Sequence, residues 1–275
     1  MADSRFRERY GPMAVVTGAA LGIGRGFARR IAARGLDLLL ADKEVDTLEE
    51  TAEALRKQHD IDVVTVGADL STVEGVERVA SEALAHEVGL LVNNAGVGHT
   101  GWFTEIPLED HLVEIDLNIR ATLVLTHRLG RDMLERGRGG IIFVASNSSE
   151  HGSPSVANYA ATKAYIRMLG EALFAELEEH GIDSLALSPG LPRTRSISRS
   201  VGDELARKLG AMEPEDVAEE GLRALGKRPA LIAGSRNRLH AILTRDFMPR
   251  ASALRRTMRR MQKTGLGKPA RPREP

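Results

Sequence analysis

Ser146, Tyr159 and Lys163 stand in the segment "SNSSEHGSPSVANYAATK" at spacings of thirteen and then four residues. The segment follows an apolar run, "IIFVA", and leads into a helical pattern, "NYAATKAYIRMLGEALFAEL". Residues four apart on a helix share a face, so Tyr159 and Lys163 point the same way. A phenol with a pKa of ~10 is a poor base at neutral pH. A nearby ammonium stabilises the phenolate and lowers that value. A serine hydroxyl at the end of the apolar run can hydrogen-bond a substrate oxygen as charge develops on it. The three residue types together suit moving a proton to or from a substrate oxygen. Each has a plainer alternative: a YxxxK pair can be a helix surface, and a serine can cap a turn.

These groups need a frame that brings them together. Seven short apolar runs recur along the chain: "MAVVTG", "LDLLLAD", "DVVTVGAD", "VGLLVNNAG", "IIFVAS", "DSLALSPG" and "ALIAG". Each fits a strand buried on both faces, as in a parallel sheet. Helical stretches such as "GRGFARRIAARG" and "VDTLEETAEALRKQ" alternate with them. The expected fold is α/β: a Rossmann-like, doubly wound parallel sheet of about seven strands with helices on both faces. Such folds bind ligands beyond the carboxyl ends of the strands, where Ser146 falls.

Residues 1–234 form one expected domain, and 235–275 an appended basic arm, helical and then disordered. The arm carries 12 Lys/Arg against 2 Asp/Glu, although the whole chain is formally neutral. The body is therefore acidic and attracts a basic arm. Leu239, Ile242, Leu243 and Phe247 share one helical face of the arm, and Leu254, Met258 and Met261 another. The expected use is packing over the substrate cleft or a neighbouring subunit; the alternative is contact with an anionic membrane. Cysteine is absent, which excludes disulfides and thiolate chemistry. No apolar run approaches the ~20 residues of a membrane span, and "MADSRFRERYG" lacks a secretion core. A cytoplasmic protein that binds no nucleic acid is expected.

"TGAALGIG", Thr17 to Gly24, follows the first strand and opens the first long helix. Glycines let the backbone turn tightly and approach a pyrophosphate, which the helix N-terminus then attracts. Asp42 ends the second strand, twenty residues after Gly22. It can accept hydrogen bonds from a ribose, or cap a helix. A carboxylate there repels a 2′-phosphate, which favours NAD over NADP; Lys43 acts in the opposite sense. Asp69 can meet an adenine edge or cap the next helix. The eight histidines show no metal-ligand spacing, and no metal site is expected.

With "TGAALGIG", "NNAG" (Asn93–Gly96) and "YAATK" (Tyr159–Lys163) in place, the chain resembles the short-chain dehydrogenase/reductase family, in its ~250-residue TGxxxGxG/YxxxK branch. The resemblance runs from about Met13 to Gly234 and includes Asn118 in "DLNIRA", Ser146 in "VASNS", and "PGLPRT" (Pro189–Thr194). It implies an NAD(P)-dependent oxidoreductase acting between a secondary alcohol and a ketone. The implied catalytic residues are Asn118, Ser146, Tyr159 and Lys163, with Tyr159 as general acid/base. Lys163 also holds the nicotinamide ribose, and Asn118 holds the water that links Lys163 to solvent. Asn118 can equally be an amide pinning helix to sheet. The implied cofactor contacts are Gly18, Gly22, Ile23, Gly24, Asp42, Asp69, Leu70, Asn94, Ala95, Gly96, Pro189, Gly190 and Thr194, with Tyr159 and Lys163. Family members pair their two long central helices across two-fold axes, which implies a homodimer or homotetramer.

A looser similarity links "RYGPMAVVTGA" and "SRNRLHAILTRDFMPR" to a subgroup with bacterial reductases and hydroxysteroid or long-chain 3-oxoacyl reductases. Members usually carry Arg past the second strand and favour NADP; this chain has "ADKE". NAD is therefore the expected cofactor and NADP the alternative. The small-molecule pocket is expected at His99, Trp102, Phe103, Ser148 and Glu150, flanked by Ser149 and His151. A flap from Leu191 to about Pro214 completes it. The competing function is a non-catalytic dinucleotide sensor or scaffold with a docking tail, but such proteins often lose the tyrosine or lysine, and here both stand.

Overall fold

A computed structural model of the protein describes residues 4–190, 211–246 and 249–263. Thr194, most of the segment expected as a flap, Phe247 and residues 264–275 lie outside these. The seven apolar runs form seven parallel strands: β1 (Met13–Thr17), β2 (Asp37–Asp42), β3 (Val63–Gly67), β4 (Val88–Asn93), β5 (Gly139–Val144), β6 (Ile182–Ser188) and β7 (Ala230–Ile232). Their order is β3-β2-β1-β4-β5-β6-β7. The order reverses beside β1, so a crevice opens between the carboxyl ends of β1 and β4.

The strands are apolar throughout because both faces are covered. Successive side chains point to opposite faces. Val16 and Leu40 enter one core, where α2 (Gly22–Ala32), α3 (Val45–Gln58) and α8 (Pro214–Ala224) supply Phe27, Leu48 and Val217. Val15 and Leu39 enter the other, where α4 (Val73–Leu84), α6 (Thr122–Arg136) and α7 (Ala157–Glu178) supply Val79, Leu129 and Ile166. Each fully buried Leu, Val or Phe contributes roughly 1.5–3 kcal/mol.

Between α5 (Leu108–Ile115) and α6 the chain makes a π-helical turn, Asp116–Ala121. Such turns are rare and often mark functional sites. This one holds Asn118. After β7 come α9 (Ser235–Asp246) and α10 (Arg250–Lys263), which fold back on the body. Arg238 bonds Glu220 at 3.0 Å and the Ile232 carbonyl at 2.9 Å. Leu254 approaches Gly152, and the Ser155 hydroxyl lies 3.9 Å from Met258 Sδ. The arm thus packs on the loop that follows Ser146.

At the other end of the sheet, α1 (Ser4–Tyr10) is pinned by one carboxylate. Asp183 on β6 accepts from Arg9 Nε at 2.5 Å and from the Tyr10 hydroxyl at 2.6 Å. Burial first, and then Asp183, pushes the Tyr10 phenol up. Asp183→Ala leaves that hydroxyl buried and unpaired, and should cost about 1–3 kcal/mol of stability. Urea unfolding measures it; an unchanged midpoint would show that the pin does not hold α1.

Candidate active site

The helix α7 is set close to the sheet. A Cβ on Gly170 would lie 2.8 Å from the Phe143 ring, and Ser184 Oγ donates to the Gly170 carbonyl at 2.8 Å. This approach carries Tyr159 and Lys163 to the end of β5. Lys163 Nζ donates to the Val144 carbonyl at 2.9 Å and sits 5.9 Å from the centre of the Tyr159 ring. The Ser146 hydroxyl acts on the Tyr159 phenol and lowers it. Ser146 Oγ in turn accepts from Ser148 Oγ at 2.9 Å and Ser148 N at 3.2 Å.

Burial governs the charges here. It pushes the Lys163 ammonium down to about 8. It also raises the Tyr159 phenol, against the lowering effect of the Ser146 hydroxyl, and the Glu114 charge raises it further. The spacing of the two residues leads one to expect that Lys163 draws the phenol down. The structure reverses the direction. Desolvation penalises the phenolate, while the Lys163 ammonium is bonded to Val144 and itself driven toward neutrality.

The loop after β4 packs on the same groups. A Cβ on Gly96 would lie 2.9 Å from Lys163 Nζ, and one on Gly98 2.6 Å from the Tyr159 ring. Only glycine leaves these side chains their space. Asn118 is committed to this loop: Oδ1 accepts from Val97 N at 2.9 Å, and Nδ2 donates to Val97 O and to Thr162 Oγ1, each at 2.9 Å. Its carboxamide therefore ties the π-helical turn to the loop and to α7.

A cleft of about 370 Å³ lies over the carboxyl ends of β1 to β4. Among the residues expected to hold a cofactor, it is lined by Gly18, Ile23, Asp42, Asp69, Leu70, Asn94, Ala95 and Gly96. Gly18 and Gly22 have φ of 65° and 57°, the left-handed region that glycine reaches without strain. A Cβ on Gly24 would strike the Gly18 carbonyl at 2.0 Å. Asp42 accepts from Ala20 N at 3.0 Å and Glu44 N at 3.1 Å, with room for a further donor on each oxygen. Asn94 Nδ2 holds the glycine turn through Thr17 O at 2.8 Å. Asp69 is bonded to Ser71 N and Oγ at 2.9 and 2.7 Å, and that serine holds its carboxyl below the ordinary range. Pro189 and Gly190 follow β6, where Pro189 O accepts from Asn147 N at 2.9 Å.

On the open side, Trp102 and Phe103 are exposed, and the Phe103 ring stacks on His111 at 4.6 Å. His99 does not simply face solvent. Its backbone N–H donates to Glu114 Oε1 at 2.6 Å, and its ring Nδ1 lies 3.2 Å from the same oxygen. Glu150 is turned inward, its carboxylate paired with Arg167 at 3.3 Å and near Ser188 Oγ at 3.5 Å. It braces the loop to α7. Ser155, with φ of 67°, accepts from Gly101 N at 2.9 Å and links the two loops.

Thr17, the first residue of the glycine motif, ties that turn to the loop after β4: its Oγ1 accepts from both Asn94 N and Ala95 N at 3.0 Å. Other contributors carry no motif in the sequence. Gly98, Glu114 and Asn158 also surround Tyr159. Gly98 alone could have been read, from the glycine pattern "NNAGVG". No group of three or more potential metal ligands occurs among the described residues.

The family model described as short chain dehydrogenase matches residues 12–204. The chain belongs to that family. It is 30% identical over 233 residues to a 7beta-hydroxysteroid dehydrogenase of Clostridium sardiniense, covering 85% of this chain and 89% of that protein. A solved 7beta-hydroxysteroid dehydrogenase superposes with a TM-score of 0.88 at 27% identity, covering 92% of this chain and 98% of the other. A gluconate 5-dehydrogenase homologue from Beutenbergia cavernae, solved with NADP, gives 0.73 at 32% identity, covering 81% and 95%. The protein is a short-chain NAD(P)-dependent oxidoreductase that interconverts an alcohol and a ketone. The glycine turn and the cleft fit a dinucleotide: a side chain at Gly18 or Gly24 would collide with Asn94 or the Gly18 carbonyl.

Burying Lys163 opposes folding. Its pKa falls from 10.5 to about 8 on folding, so the opposition is complete below about 8 and fades as the pH rises to the unfolded value. Lys163→Met should therefore melt higher than the wild type at pH 7 while losing activity. A lower melting temperature would contradict the burial account.

Proposed function

We propose that Tyr159 is the general acid of a ketone reductase, with Ser146 and Lys163 as its partners. The carrying observation is a half-buried phenol, held up by desolvation and lowered by the neighbouring Ser146 hydroxyl, at the edge of a glycine-lined dinucleotide cleft. The bound dinucleotide supplies or accepts the hydride. Ser146 Oγ and the Tyr159 hydroxyl both donate to the substrate oxygen. As charge grows on that oxygen, the phenol O–H breaks and its proton neutralises the alkoxide. Lys163, at about 8, can return a proton to the phenolate near neutral pH. Asn118, its amide spent on Val97 and Thr162, holds the geometry of this relay. A phenol that rests protonated favours reduction over oxidation.

The substrate reading is a bulky, largely apolar ketone. Trp102 and Phe103 offer apolar surface beside His99, and α10 brings Leu254 and Met258 to the loop after Ser146. The relatives named as hydroxysteroid dehydrogenases make ring ketones the first class to try. The cofactor reading is NAD. Among the described residues that line one end of the cleft, Asp42, Glu44 and Asp69 stand with Lys43, whose charge acts on Asp69. A 2′-phosphate would meet that excess of carboxylate, although solved relatives carry NADP or NADPH. A cytoplasmic setting belongs to this reading, as does a homodimer or homotetramer. Leu112, Ile115, Leu123, Tyr165 and Met168 are exposed on α5, α6 and α7. A sensor or scaffold is not favoured while Ser146, Tyr159 and Lys163 all stand.

A panel of ketones and alcohols, assayed with both dinucleotides by nicotinamide absorbance, tests the reading. Reduction of bulky ring ketones should exceed that of small ones, and NAD(H) should be preferred at least ~10-fold in kcat/KM, which needs only ~1.4 kcal/mol. Asp42→Ala should narrow that ratio. Equal values, or a preference for NADP(H), would mean that Lys43 or Arg25 governs the ribose end. Light scattering at micromolar concentration should give at least twice the 29.8 kDa chain mass, and a particle of that mass itself would exclude the assembly.

A further inference from the structure

Glu114 is only 1% exposed, on the inner face of α5. Its two oxygens join three separate segments. Oε1 accepts from His99 N at 2.6 Å and faces His99 Nδ1 at 3.2 Å, in the loop after β4. Oε2 accepts from Asn158 Nδ2 at 2.7 Å, at the start of α7. The other N–H of Asn158 reaches the His111 carbonyl at 3.0 Å, back on α5. Asn158 is the residue before Tyr159, and His99 follows Gly98, which lies against the Tyr159 ring. The carboxylate thus grips both sides of the phenol.

We propose that Glu114 is a positioning residue of the acid/base step, a buried carboxylate that clamps the Tyr159 helix to the loop after β4 and sets a negative charge beside the phenol. This deepens the reading of Tyr159 as proton donor and rests on it. A neutral amide could make similar hydrogen bonds, so the clamp alone does not call for an ionisable side chain. A buried carboxylate is costly unless it is well bonded, and here it accepts from two N–H groups, His99 N and Asn158 Nδ2, with His99 Nδ1 facing it. Its charge acts on the neighbouring phenol. A second negative charge nearby disfavours phenolate, in the same sense as burial. The acid form of Tyr159 then persists to higher pH.

Other titratable groups face the same space. His99 comes from the β4 loop and is partly exposed. His111 lies on α5 itself, with Nε2 on the Phe103 carbonyl at 2.9 Å. Tyr159 and, beyond its ring, Lys163 come from α7. Asp116 and Arg120, past the end of α5, pair with each other at 2.7 Å.

The test is an optical titration of Tyr159: tyrosinate absorbance of the enzyme minus that of its Tyr159→Phe counterpart, with Glu114 or with Gln at that position. The same proteins are assayed for ketone reduction across pH. In Glu114→Gln the phenol should ionise about half a unit or more lower, the alkaline limb of reduction should move the same way, and the KM for dinucleotide should hold. An unmoved or upward-moved titration overturns the proposal, even where the rate falls, because a purely structural residue would scale the rate alone. Asn158→Ala keeps the charge and removes one arm of the clamp. It should lower kcat about tenfold, as misplacement of a catalytic group does, without moving the titration. Wild-type kcat in Asn158→Ala overturns the clamp, and it decides the matter should Glu114→Gln not fold. Wild-type reduction by Tyr159→Phe would instead remove the acid role of Tyr159 and leave the titration result standing.

Discussion

Lys163 is a cation with almost no access to water, bonded to the end of β5 and lying against the Tyr159 ring. Moving an ammonium out of water is expensive, and much of the architecture around it serves that placement. The Gly170 contact brings α7 down onto Phe143. Gly96 clears space for Nζ and Gly98 for the phenol ring. Asn118, in a π-helical turn, fixes the loop that carries both glycines. The strand ends supply the remaining partners, because in a parallel sheet all carboxyl ends lie along one edge. The same edge that exposes the Val144 carbonyl to Lys163 also exposes Asp42 and the glycine turn to a dinucleotide.

The consequence for chemistry is a site whose protons are set by desolvation more than by pairing. Burial lowers the lysine and raises the tyrosine. The phenol therefore stays protonated, and the ammonium can release its proton near neutral pH. Ser146 opposes the rise of the phenol, and Glu114 adds to it. Such a site is poised as a proton donor to an alkoxide, in line with a reductase.

Much of this was legible in the sequence, for identifiable reasons. The seven strands could be read because both faces of the sheet are covered, which turns each strand into an unbroken apolar run. Tyr159 and Lys163 could be paired because four residues is one helical turn. Glu114 could not be found, since its partners His99 and Asn158 lie 15 and 44 residues away and meet it only in the folded chain. Thr17 stood in the glycine motif, but its bonds to Asn94 N and Ala95 N, 77 and 78 residues away, were hidden for the same reason. The direction of the Tyr159 shift depends on the balance of burial against charge, which no spacing encodes. Glu150 looked like a pocket residue by its neighbours, but Arg167, one turn past Lys163 on α7, draws it inward. The described part of the basic arm forms two helices, α9 and α10, and Leu254 and Met258 of α10 lie against the loop beyond Ser146, a contact that required the structure.

In the proposed hydride-transfer reaction the Tyr159 phenol is the proton donor. Single-turnover oxidation of bound reduced dinucleotide by a ketone, compared between the wild type and Tyr159→Phe, tests this most directly. The account predicts dinucleotide binding within error of the wild type and a hydride-transfer rate lower by ~10² or more, the usual effect of deleting a positioned acid. An unchanged rate in Tyr159→Phe would contradict it.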